Sequence, residues 1–525
     1  MPTWTGGGVN NNWSTAGNWD TGVPTAAQPA IFDGVTGVNP NKNVTITSGA
    51  TCASITFVGY TGEANFTNNL TVAGNITFGT GMSFNSAGTA NLVCTGNGTL
   101  TSNGKTFPGG ITLQHSTFSL ITLLADNWTI LGSLTRAGSN GPALRGQTIT
   151  RTLSVNGSVL FGGGISCSLL TIKMTGTGNL SGSTSGCTIE IDTPTGAISH
   201  NATLSLNAVI FRWIQGTFNS TASLELTNNT PVLDNVGSIS FFNLSFPSTT
   251  GGLGCSILSN VNVANDITSV GSYAIDGAFT VFVKRNIAMG AGQTLSGTAT
   301  IVMDGSTSAS IAAGAIRNNL TINKSGTPTP ATVTLNSFTW GGIVGRTLQR
   351  TAGNINPAAS TITIPAGNVT INNMVFNNLT VSALTTINQN TANTINGTLL
   401  LNGSTAFAGT AGWTCATLIN TTNNSTITLQ NSVTYRTTTG VQLVSSLTTQ
   451  PITMQSVNAS IRAIWTLDYG ATQNIIYVNG TRIDSSLGQI IWTFGGLISN
   501  TPLGAETLNW RTGTRPGTIA YTFLT

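Results

Sequence analysis

Short runs that alternate an apolar side chain with a hydroxyl recur along this chain, and they admit very few folds. Asn43-Val44-Thr45-Ile46-Thr47, Ser54-Ile55-Thr56-Phe57-Val58 and Ala299-Thr300-Ile301-Val302-Met303 keep the period of two that turns one face of a strand inward. Gly and Asn interrupt such runs every few residues and supply the positive-φ positions of tight corners. Helices have no comparable signal. Few ten-residue stretches avoid Gly, Thr or Asn, and none sustains apolar residues at i, i+3, i+4 and i+7. The chain is therefore expected to be all-β.

Charge narrows the choice further. Asp, Glu, Lys and Arg fill only 6% of the 525 positions, against about a quarter in an ordinary soluble domain. Solubility must then come from hydroxyls and amides, which stack in columns along parallel strands where like charges in register would repel. The length exceeds the usual ceiling for one compact core, so an elongated architecture or several domains is expected.

Internal similarity points to stacked turns. Asn69-Leu70-Thr71-Val72 recurs as Asn243-Leu244-Ser245-Phe246, Asn319-Leu320-Thr321-Ile322 and Asn378-Leu379-Thr380-Val381. The spacing between copies is unequal, as in a parallel β-helix whose turns carry insertions of different length. Both ends differ from this body. Residues 1–45 contain Trp4, Trp13 and Trp19 and read as a cap or attachment segment. Residues 46–445 read as the β-solenoid. From about 446 to 525, longer apolar strands and more aromatics indicate a small C-terminal β domain for capping, trimerisation or receptor binding.

The opening Trp4…Trp13…Asn18-Trp19-Asp20-x-Gly22-x-Pro24, with the repeated Asn-Leu-Thr-Val and Gly-Asn-Ile-Thr-Phe phrases, resembles β-solenoid fibre and spike proteins of tailed bacteriophages. It is also similar to the passenger repeats of autotransporter adhesins. The tail phrase from Val478 to Trp492 has the same style. The phage resemblance implies a virion structural protein, a homotrimer held by other virion proteins and contacting a host surface glycan or receptor. Two alternatives stand beside it: a polysaccharide-depolymerising tailspike and a bacterial surface adhesin.

The depolymerase alternative needs two carboxylates about 5–9.5 Å apart. Glu190 and Asp192 lie at i and i+2 in Thr188-Ile189-Glu190-Ile191-Asp192, hence on one strand face roughly 7 Å apart. Alternation alone also places two acids on a solvent face, and this plainer reading is preferred: the chain is expected not to be an enzyme. Exposed Trp465, Tyr469, Tyr477, Trp492 and Trp510 are candidates for stacking on sugar rings, with burial in a terminal core as the rival. His115 and His200 lie in no nucleophile motif and read as surface or turn residues.

No cofactor or metal is expected, because the six cysteines include no CxxC pair. They read as buried thiols, Cys167 and Cys187 bridging only if neighbouring turns bring them together. A net charge of +4, with Lys284-Arg285 as the sole adjacent basic pair, excludes a nucleic-acid footprint. The start carries no secretory signal pattern, and no run of about 20 apolar residues spans a membrane. Assembly in a host cytoplasm and location on the virion, without membrane insertion, are the matching expectations.

Overall fold

The computed structural model describes residues 1–495 and 509–512, except 88–89, 117–119, 138–142, 228–229, 248–252, 313, 327–328 and 459. Within them the one helical element is the 3-10 turn Ala16–Asn18; all other regular structure is strand. The strands pair in parallel with those of the next turn, giving a parallel β-solenoid of about 20 turns. Two compact units are distinguished, Met1–Ser248 with Leu253–Ala264, and Asn265–Thr525.

In the first unit a turn typically takes three strands. Ile111–Leu113, Ile121–Leu124 and Trp128–Ile130 pair with Leu134–Arg136, Ala143–Gly146 and Arg151–Val155 of the next turn. Parallel in-register pairing keeps each inward residue over another inward residue. Trp128 and Ile130 therefore lie in line with Leu153 and Val155, all buried. The outward positions between them form hydroxyl columns such as Thr112 and Thr135, whose Oγ1 atoms are 3.0 Å apart.

The first edge of this ladder is covered by the chain's own start. Thr3 bridges to Ile31 and Asn12 to Thr45, so the N-terminal segment pairs with both Pro29–Phe32 and Val44–Ile46. Trp4, Trp13 and Trp19 are buried together, with edge-on contacts at 5.3 Å (Trp4–Trp19) and 4.9 Å (Trp13–Trp19). Phe32 then carries the aromatic stack on to Phe57 at 4.4 Å. An exposed strand edge would invite pairing with other chains, and this segment removes it. The three tryptophans are buried inside this covering segment and expose no ring face.

The second unit repeats the plan. One face stacks Thr280–Val283, Thr300–Gly305, Asn319–Lys324, Arg346–Ala352 and Gly367–Asn372 in order, and continues to Val478–Thr481. From residue 446 onward all regular structure among the described residues is strand, and parallel pairing with preceding turns runs through Ile483–Asp484 to a bridge between Ile476 and Phe494. Ile491–Thr493 and Trp510–Thr512 then form a two-stranded sheet of their own.

Corners between strands are held by a recurring side-chain device. An Asn at the start of a strand accepts, through Oδ1, the backbone N–H of a residue about one turn later. Asn75 accepts from Thr99 (2.9 Å), Asn127 from Thr152 (2.9 Å), Asn319 from Thr347 (3.0 Å) and Asn378 from Thr398 (2.9 Å). Ser substitutes at Ser133, which accepts from Ser158 at 3.0 Å. These amides satisfy donors that the strand ladder leaves unpaired where the chain bends. The repeated Asn-Leu-Thr-Val phrase is thus a corner acceptor followed by two inward residues, Leu70/Val72, Leu320/Ile322 and Leu379/Val381, all buried. Asn was expected to mark left-handed corners. That holds at Asn103, Asn235 and Asn373, but the residues of this column are not among the positive-φ positions.

Candidate functional site

Near residue 190 the three-strand turn gives way to long strands that run around a corner, Thr188–His200 and Ile210–Ser220. Their register breaks between Ile191 and Ala197: Asp192 faces Gln215 and Ala197 faces Thr217, so residues 193–196 oppose Gly216 alone. Gly216 has φ +120°, and a Cβ there would lie 2.1 Å from Thr193 Oγ1, so this bulge needs glycine. It places Pro194 beside an open groove of about 820 Å³. Hydroxyls of Thr129, Thr152, Ser154 and Thr171 line the groove along with Lys173, Glu190 and Asp192.

Parallel register builds a column of alternating charge here. Lys173 pairs with Glu190, Glu190 with Arg212, and Arg212 with Asp234, each one turn from the last. Lys173 Nζ lies 3.3 Å from Glu190 Oε1 and 2.7 Å from Asp192 Oδ2. Arg212 reaches Glu190 Oε2 at 3.9 Å and donates from Nε to Asp234 Oδ2 at 2.7 Å. Gln215 Nε2 donates to the second Asp192 oxygen at 2.6 Å. Among the described residues the remaining ion pair is the one between Arg436 and Asp468. A solenoid that stacks charges must alternate their sign, because like charges one strand spacing apart repel.

The ladder decides what the acid pair does. The hydrogen bond from Lys173 and that from Gln215 hold the Asp192 carboxyl below the ordinary carboxylate range. The same contact with Asp192 raises the Lys173 ammonium above its ordinary value. Both bonded carboxylate oxygens touch one ammonium, so they lie closer than the about 6.5 Å lower limit of an inverting pair. One ammonium thus bridges both acids, which is the geometry of a structural ion ladder. Lys173, Arg212 and Asp234 were not singled out from the sequence. Their signal was present as alternating charges at intervals of one turn, and it becomes visible only when the turn length is known.

The aromatic candidates divide. Trp465 and Trp510 are buried, their rings 5.8 Å apart, with indole N–H groups donated to Thr437 Oγ1 (3.1 Å) and Ser485 Oγ (3.2 Å). Neither offers a face to a sugar; both are core. Trp492 and Tyr477 are half-buried, and the Tyr477 ring lies 6.4 Å from Phe494. Tyr469 is 82% exposed. The structure does not gather the five into one surface.

Both histidines are buried, against the expectation of surface or turn positions. His115 lies 3.1 Å from both the Leu120 carbonyl and Thr122 Oγ1. His200 ends its long strand against Ser220 Oγ at 2.9 Å, and burial pushes its pKa down to about 4. Each fills an inward position where a small hydrogen-bonding ring replaces an aliphatic side chain. Among the described residues no group of three or more His, Cys, Asp or Glu is placed to hold a metal ion, and no helix is long and apolar enough to cross a membrane. Comparison of the chain with protein-family models, with curated proteins and with solved structures gives no match.

Proposed function

We propose that this protein is a non-catalytic structural appendage, a fibre or spike of a tailed-phage virion that contacts the host surface. The observation that supports this most is the Lys173 ammonium shared by Glu190 and Asp192, which turns the best acid pair into a structural ion ladder. Around it, uncharged hydroxyl and amide columns give a polar surface suited to hydrogen bonding with neutral glycans. A self-capped start and few charges also suit a scaffold that must persist outside a cell. Homotrimer formation and attachment to other virion proteins belong to the same proposal.

Two measurements test it. Antibodies raised against the chain should label intact virions in electron micrographs, and labelling confined to a bacterial envelope would replace the virion reading with the adhesin. The purified chain, incubated with host envelope polysaccharide, should retain the glycan and release no new reducing ends. Cleavage that disappears in Glu190→Gln would establish the depolymerase instead.

A further inference from the structure

The cysteines expected to bridge only if neighbouring turns brought them together are together. Ile165–Ser168 pairs with Gly178–Ser185 so that Ile165 faces Thr184 and Ser166 faces Ser185. Cys167 therefore falls opposite Gly186, with Cys187 one residue further along. A diagonal neighbour across adjacent strands lies about 6 Å away, Cα to Cα, inside the range of about 4.4–6.8 Å that a disulfide spans. Gly186 sits at φ +74°, where an added Cβ would be 2.3 Å from the Cys167 carbonyl oxygen. This tight corner turns Cys187 inward.

Both thiols are buried and share one hydroxyl: Thr184 Oγ1 is 3.8 Å from Cys167 Sγ and 3.4 Å from Cys187 Sγ. We propose that Cys167 and Cys187 form a site of reversible oxidation, closing a disulfide between consecutive turns by exchange with a low-molecular-weight disulfide. The neighbouring Cys167 thiol and the Thr184 hydroxyl hold Cys187 below the ordinary thiol range while Cys167 is raised, so Cys187 is the first thiolate. It attacks one sulfur of the small disulfide, forming a mixed disulfide and expelling one thiolate. Cys167 then loses its proton and attacks Cys187 Sγ, and the second small thiolate leaves. Two protein thiols are oxidised, and one small disulfide is reduced to two thiols.

The test treats the folded full-length chain with oxidised glutathione, quenches with acid, alkylates remaining thiols and maps tryptic peptides. The expected product joins the peptide of residues 152–173 to that of residues 174–212, with two of the six thiols lost to alkylation. In Cys167→Ser the second step is blocked, and glutathione should remain on Cys187. A chain whose Cys167 and Cys187 stay fully alkylated after treatment, or whose bridge joins other cysteines, would overturn the proposal. The wild-type map needs no variant to fold.

Discussion

Individual polar residues in this chain act through the residue one turn away. Lys173 shows this most clearly, since it neutralises two carboxylates on the neighbouring strand. Replacing it with Met leaves Glu190 and Asp192 as like charges on one face. The side chains are 15–28% exposed, so solvent screens part of the effect, and a loss of about 1 kcal/mol is expected. A lower urea midpoint checks this, and adding Asp192→Asn should recover part of it. His200 gives a pH dependence of definite sign. Its folded pKa of about 4 lies below the unfolded value of about 6.5, so the unfolded chain binds more protons between them. Its contribution is fully present above about pH 6.5 and is lost as pH falls through about 4, a difference of ~3 kcal/mol at most. Melting between pH 7 and pH 4 should show the decline, and His200→Asn should flatten it.

At the scale of the strand and its corner, the sequence was readable in one direction only. The alternation in Ser54-Ile55-Thr56-Phe57 gave the strand and its inward face, because period two is a property of the local backbone. The corner asparagines were also visible, but their acceptor role was not, since the N–H they serve lies some 20 residues away. The triplets at Asn43, Asn69, Asn75 and Asn127 match a glycosylation pattern for the same reason. Each is a corner amide followed by a strand, and each Oδ1 accepts a backbone N–H from the next turn. Asn127→Ala should orphan the Thr152 N–H at a cost of about 1 kcal/mol. Hydrogen exchange at Thr152 should quicken, whereas Asn127→Asp, which keeps the acceptor, should leave it slow.

The whole molecule depends on stacking, so its edges carry disproportionate weight. In a stack of turns each interface stabilises its neighbours, and the terminal turn has a partner on one side alone. Trp19, packed against Trp4, Trp13 and Phe32, holds the N-terminal cap in place. Trp19→Ala should cost about 3–5 kcal/mol locally and uncover the paired edges of Pro29–Phe32 and Val44–Ile46. Light scattering should then detect association beyond that of the wild-type chain, and an unchanged profile would argue against the cap.

What the sequence determined by itself was everything with a short period: strands, inward faces, corners, and the poverty of charge that makes long in-register columns tolerable. Which column each residue joins was settled by the stacking of the turns. Glu190 and Asp192 read as two acids on one strand face, and stacking supplied the Lys173 and Arg212 that pair with them. Trp465 and Trp510 could be read as sugar platforms or as core, and the structure buries both. Cys167 and Cys187 met because one turn and one glycine corner set their register. The physical reason is common to all three: local pattern fixes the direction of a side chain, while its neighbours are set by the length of the turn, which no single stretch of sequence encodes.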